Sequence, residues 1–334
     1  MDHPSGLYAP ETRFPRERRL TKRILKDAGP LRFGEGHDCT FPATLAVATK
    51  TEYDWLMGCS AAAFTATIDE AGWEPLAATP RDPETLARAA RAAGVRLDSV
   101  SPPYDDEMRA LVLDRVVEAV DAALPPLVFG LAGPEYGLVV GYDQSGPTFF
   151  ARTFFDRDDH PRSVGWDAFA SDERGGLIFL DRGEAPDRKA AVREGIDAGL
   201  AAGEMSDSAL ESWSRSLRDD ARWTDPKHAG AAAFADHAMR AVLVDKHRAA
   251  ARFLRGARGL FPAAPGGDLL RAAESFGYGA DAAAKGGLGQ FDGSVAMRFI
   301  DVGHRRAWAR NLETVRQHDG EAREALAAAR GSMR

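Results

Sequence analysis

The spacing of apolar positions along this chain changes character near residue 183. Before that point, CTFPATLAVATK (39–50) is predicted as a helix with Cys39 in its first turn. PETLARAARAAG (83–94) and MRALVLDRVVEAVDAAL (108–124) also carry apolar residues at helical spacing. Pro83 and Gly94 punctuate the first of these as a start and a stop. The pattern then shifts to four strand-length runs rich in Val, Phe, Leu and Ile: PLVFGLAG (126–133), YGLVVGYDQ (136–144), TFFARTFF (148–155) and GLIFLDR (176–182). Turn signals at Gly133-Pro134 and from Gln144 to Pro147 separate the first three. Those connections are too short for helical crossovers, so these strands are expected to pair antiparallel.

After Asp187 the apolar stripe is helical almost to the end, in KAAVREGIDAGLAAG (189–203), in the long segment 228–259 and in RRAWARNLETVRQHDGEAREALAAAR (305–330). GLFPAAPGG (259–267) reads as a break and GYGADAAAKGGLGQFDG (277–293) as a glycine-rich loop. That loop has neither a preceding strand nor a GK[ST] ending, so it is not read as a phosphate loop. The expected organisation is α+β: an N-terminal extension over 1–30, a domain over 31–183 in which a helix packs on an antiparallel sheet, and an all-helical domain over 184–334.

Composition narrows the function classes. No stretch of about eighteen apolar residues exists, so no membrane partner is expected. The first 27 residues are charged and lack the apolar core of a secretory signal. The basic run from Arg13 to Lys26 has the look of a nucleic-acid arm, but a net charge of -7 favours a solvated helix or a strap across the domain. With only Cys39 and Cys59 present, neither a disulfide framework nor a CxxC zinc pair is available, and a reducing, cytoplasmic home fits. No cofactor is expected.

Cys39 follows a glycine-rich approach, GEGHDC, and opens an apolar helix. Unpaired N–H groups and the helix dipole at such an end stabilise a thiolate. The glycines let backbone approach a substrate and offer oxyanion-type donors. The alternative is a small cysteine filling a gap in the core. Asp38 is a natural N-cap for the same helix. His37, two residues before Cys39, either folds over the thiol as its base or bonds local backbone.

The cysteine-bearing helix start, together with EYGLVVGYDQSGPTFFARTFF (135–155), resembles the papain-type cysteine peptidase fold over roughly residues 31–182. The resemblance implies a helix bearing the nucleophile, packed on an antiparallel sheet, with the base at the start of the strand that ends in Gly141-Tyr142. The base position falls on Glu135 and the orienting position near Thr153, where that family has His and Asn or Asp. A carboxylate with a reference pKa of about 4.3 is a poor base for a thiol near 8.5 unless burial raises it. With YDWLMGCSAAAF (53–64) and the helical half, the chain is similar to bacterial proteins of the butirosin-biosynthesis H-like group. That resemblance implies acyl transfer or amide hydrolysis through a thioester on Cys39. A small molecule or peptide would be the substrate, with an acyl carrier protein as a further partner.

Catalytic candidates are therefore Cys39, His37 and Glu135, and substrate-binding candidates are Asp38, Tyr136, Thr153 and Trp55. Tyr53, Trp55, Met57 and Phe64 fall where a cleft wall or a core helix would lie, and aromatics at helical spacing favour the core. Spacing supports no metal site: His237 and His247 do not share a helix face, and FFDRDDH (154–160) lacks the glycine and distal glutamate of a calcium loop. Two readings stand: a cysteine acyltransferase or amidohydrolase, or a catalytically degenerate domain of the same fold that binds a small molecule, peptide or partner protein.

Overall fold

The apolar runs between residues 126 and 182 become the centre of an open antiparallel sheet. A computed structural model describes residues 22–68, 79, 82–146, 148–171, 176–285 and 291–333. The first half runs β1 (Lys22–Ile24), α1 (Thr40–Thr49), α2 (Tyr53–Cys59), α3 (Pro83–Ala92), β2 (Val95–Val100) and α4 (Asp106–Asp121). It continues through β3 (Leu127–Phe129), β4 (Tyr136–Asp143), β5 (Thr148–Arg152), β6 (Arg162–Gly165), α5 (Trp166–Ser171) and β7 (Gly176–Arg182). The strand order is β2-β7-β3-β4-β5-β6, with β1 added against β4, and every ladder is antiparallel, as the short connections require.

β4 organises the sheet. One of its edges carries β5, while β3 (opposite Tyr136 to Leu138) and β1 (opposite Gly141 to Asp143) share the other. The close approach of β1 explains Gly141, because a Cβ there would sit 2.4 Å from the Arg23 carbonyl oxygen. The ladder with β5 slips between Val139 and Gly141. Such an irregularity changes which face successive side chains take. Tyr136, Leu138 and Val140 thus join the core beneath α1, whereas Val139 and Tyr142 both face α4. The Tyr142 hydroxyl donates to Asp121 Oδ1 at 3.0 Å, at the end of α4.

The second half is helical: α6 (Arg188–Ala201), α7 (Gly203–Arg218), α8 (Pro226–Ala257), α9 (Ala263–Ala284), α10 (Gly293–Ile300) and α11 (Val302–Ser332). Its core is continuous with the one beneath α1. Phe253 of α8 packs 5.9 Å from Trp55 and 6.0 Å from Phe64, ring centre to ring centre. Arg252 forks onto Asp54 at 2.5 and 2.7 Å. Thus α8 lies directly over α2.

Several expectations are corrected. A break does separate α8 from α9, but it ends at Pro262 rather than Gly267, and where a loop was expected from 277 α9 runs helically through Gly277 and Gly279 to Ala284. Gly279 is needed for packing, since a Cβ there would lie 2.8 Å from the His247 ring. Residues 286–290 of that segment lie outside the described residues. The described end of the basic run is β1, a short strap paired to β4, while residues 13–21 of the run also lie outside. Strands β2 and β6 have no long apolar run to announce them. Among the described residues no helix is long and apolar enough to cross a membrane.

Candidate functional site

The segment leading out of β1 delivers Cys39 to the N-terminus of α1, which packs on β4 and β3. The helix starts at Thr40, one residue later than Asp38 capping requires, so Cys39 itself occupies the cap position with extended backbone (φ -83, ψ 99) and no side-chain cap. Asp38 instead folds back: its carboxylate accepts from the Gly34 N–H at 2.5 Å, and its own N–H donates to Asp245 Oδ2 at 3.0 Å. The N-cap role expected of Asp38 is therefore corrected.

A polar network closes over the cysteine. The Cys39 N–H donates to the Tyr53 hydroxyl at 3.3 Å, and that hydroxyl donates to Asp245 Oδ2 at 2.5 Å. Tyr53 opens α2 and Asp245 comes from α8, so both halves of the chain meet here. Lys246, next to Asp245, is also buried, and its ammonium donates to the Thr65 carbonyl at 3.0 Å. Asp245 Oδ1 is buried and accepts no hydrogen bond among the described residues.

Burial dominates the electrostatics. It pushes the Cys39 thiol up to about 12, against the pull of the Lys246 charge and the Tyr53 hydroxyl. Burial likewise raises Asp245 to about 6, opposed by the Tyr53 bond and reinforced by the neighbouring Asp38 carboxylate. Asp38 is raised and Lys246 lowered, both mainly by burial. The charged form of each group is disfavoured, and the thiol stays protonated at neutral pH.

Of the sequence candidates, Glu135 does reach the start of α1. It immediately precedes β4, is 6% exposed, and accepts a short hydrogen bond from the Thr40 hydroxyl, one residue beyond Cys39. Tyr136 packs its ring 5.0 Å from both Phe41 and Phe129, in the core rather than along an open wall. Thr153 is buried just past β5, where its hydroxyl donates to Asp156 Oδ1 at 2.9 Å. Asp156 is held in turn by Arg162 at 3.2 Å. Trp55 is not brought to Cys39: its indole N–H donates to the Ala92 carbonyl at 3.0 Å, and the Arg188 guanidinium covers its ring at 4.6 Å. His37 is exposed and lies against the outer face of Tyr53, with ring centres 4.4 Å apart. Among the described residues no histidine nitrogen hydrogen-bonds Cys39.

Three residues that complete the network, Tyr53, Asp245 and Lys246, were not site candidates in the sequence. One signal did exist. AVLVDKHRAA places Asp245, Lys246 and His247 together inside an otherwise apolar helix, and charged groups in such a stripe are buried only when they meet partners. Neither a family model nor a curated protein matches the chain.

Proposed function

We propose that residues 31–183 form a catalytically degenerate papain-like domain, which binds a small molecule, peptide or partner protein without turning it over. The observation that carries this reading is the state of Cys39: 0% exposed, with its thiol pushed up to about 12 by burial. A nucleophilic cysteine is accessible and has a lowered pKa, so the site has the opposite character. Two further features support the reading. The Cys39 N–H, which an oxyanion would need, is already used by Tyr53. Glu135, at the expected base position, is engaged by Thr40.

The test is acyl capture. Wild-type protein and Cys39→Ala are incubated with short-chain acyl thioesters of N-acetylcysteamine and examined by intact mass. The degenerate reading expects no acyl adduct on either protein. An adduct that forms on the wild type and disappears in Cys39→Ala overturns it.

A second reading is a papain-like acyltransferase or amidohydrolase acting through a thioester on Cys39, and one observation favours it. His37 is exposed and sits against Tyr53, so an imidazole stands one ring away from the group that bonds Cys39. In that reading α8 must move off α2 before the thiol meets a substrate or an acyl carrier protein. The same adduct experiment decides between the two.

A further inference from the structure

Away from Cys39, the seam between the two halves holds a groove of about 720 Å3, a size in the range of small-molecule sites. Tyr53 at one end of α2 bonds the Cys39 backbone, while Cys59 at the other end lines the groove. Six residue steps at about 1.5 Å each put roughly 9 Å of helix between the two places. One wall is α3, another is the end of β7 with the connection Gly183–Asp187, and the third is the first turns of α6.

Four arginines line the groove: Arg88 and Arg91 of α3, Arg96 of β2 and Arg182 of β7. Arg88 and Arg91 stand three residues apart on α3 and so share a helix face. Both are held in place. Arg88 donates through Nε to the Ser60 carbonyl at 3.0 Å and through Nη2 to Thr85 at 2.9 Å, and Arg91 bonds Glu194 of α6 through Nη2. Each guanidinium has five N–H donors in a fixed fork, so both keep donors unused by these bonds. Arg182, the last residue of β7, is the cross-strand partner of Val95, whose side chain joins the core beneath α1 and α3. Cross-strand partners share a sheet face, which puts Arg182 on the side of α3 and α6. Among the described residues the Arg182 side chain makes no hydrogen bond or ion pair.

The opposing carboxylates are mostly engaged. Glu194 is taken by Arg91, and Asp187 accepts from the Lys189 and Ala190 N–H groups as the cap of α6. That leaves Glu184 as the lining carboxylate with no partner among the described residues. Between the charges the walls are small and apolar, at Ala92, Val95, Ala185, Pro186, Ala190 and Ala191.

We infer that this groove binds a small organic anion: a carboxylate or phosphate head against Arg182, Arg88 and Arg91, and a compact apolar body over the alanine and proline wall. Arginine forks match the planar carboxylate and the phosphate oxygens in pairs. The inference does not rest on the reading of Cys39 and survives either outcome there.

Calorimetric titration of the full chain with phenyl phosphate, phenylacetate and benzyl alcohol tests it, at millimolar ligand and low salt. Binding of one or both anions, with benzyl alcohol silent, is the expected result, and the anion that binds identifies the head group. Arg182→Gln is expected to weaken that binding about tenfold, the loss of one charge-assisted contact. Glu184→Gln is expected to strengthen it by roughly twofold to fivefold through removal of a like charge. Circular dichroism of both variants checks that they fold, and the opposite signs of the two effects separate a site from a general loss of structure. Silence with both anions, equal binding of benzyl alcohol, or an Arg182→Gln affinity equal to wild type overturns the inference.

Discussion

Asp245 and His247 are two residues apart on α8, both buried, and their surroundings differ in kind. His247 is satisfied on both nitrogens: Nδ1 donates to the Leu243 carbonyl at 2.8 Å, and Nε2 meets Asp319 Oδ1 at 2.6 Å. Its pairing raises the imidazole pKa despite complete burial. Gly279 leaves room for the ring, so α8, α9 and α11 lock around a hydrogen-bonded histidine–carboxylate pair. Asp245 has no such counterpart. It gathers two neutral donors on one oxygen, keeps the other without a partner among the described residues, and faces a second buried carboxylate, Asp38. A helix can therefore bury two ionisable groups about half a turn apart for different ends. One pair completes the packing of its own half, and the other carboxylate closes a polar site that belongs to both halves.

Asp319→Ala leaves His247 buried with one nitrogen unanswered, and denaturant unfolding is expected to show a loss of about 3–5 kcal/mol. The wild-type pair is also pH-sensitive. Because the folded pKa of His247 is raised, its contribution is fully present below the unfolded value of about 6.5 and is lost as pH rises through the folded value. In Asp319→Ala that loss on the alkaline side should vanish. If stability at neutral pH barely changes, the pair is not a lock.

Asp245→Asn is expected to act in the opposite direction and more weakly. The amide oxygen still accepts from the Asp38 N–H and Tyr53, but the group no longer ionises. A carboxylate raised to about 6 when folded, against about 3.9 unfolded, contributes most below about pH 3.9. Its contribution falls as pH rises through 6, by about 2–3 kcal/mol in all. The stability difference between Asp245→Asn and wild type should thus grow in favour of the variant from pH 4 to 6 and then level. A constant difference across that range would put Asp245 among ordinary structural carboxylates.

How legible this was in the sequence depended on how local each feature is. The runs at 136–144 and 176–182 are alternately or continuously apolar, and they became β4 and β7 almost residue for residue. β6, with the sequence RSVG, buries little and carries no such signal. α9 was hidden because Pro265, Gly266, Gly277 and Gly279 read as breakers, whereas close helix packing is what Gly279 serves. The cysteine at a helix start was readable from GEGHDCTF, and the strand pattern drew Glu135 to the same end of α1. The Tyr53–Asp245 bond was not readable, because it joins positions 192 apart through tertiary packing alone.

The Cys39 thiol is closed off and neutral. Its most direct test is the pH dependence of iodoacetamide alkylation at Cys39 in a Cys59→Ala background, followed by peptide mass analysis. Slow alkylation is expected in native protein, with a rate still climbing well above the free-thiol value of about 8.5. Fast alkylation that levels off below about pH 7 would reveal an activated thiolate and contradict it.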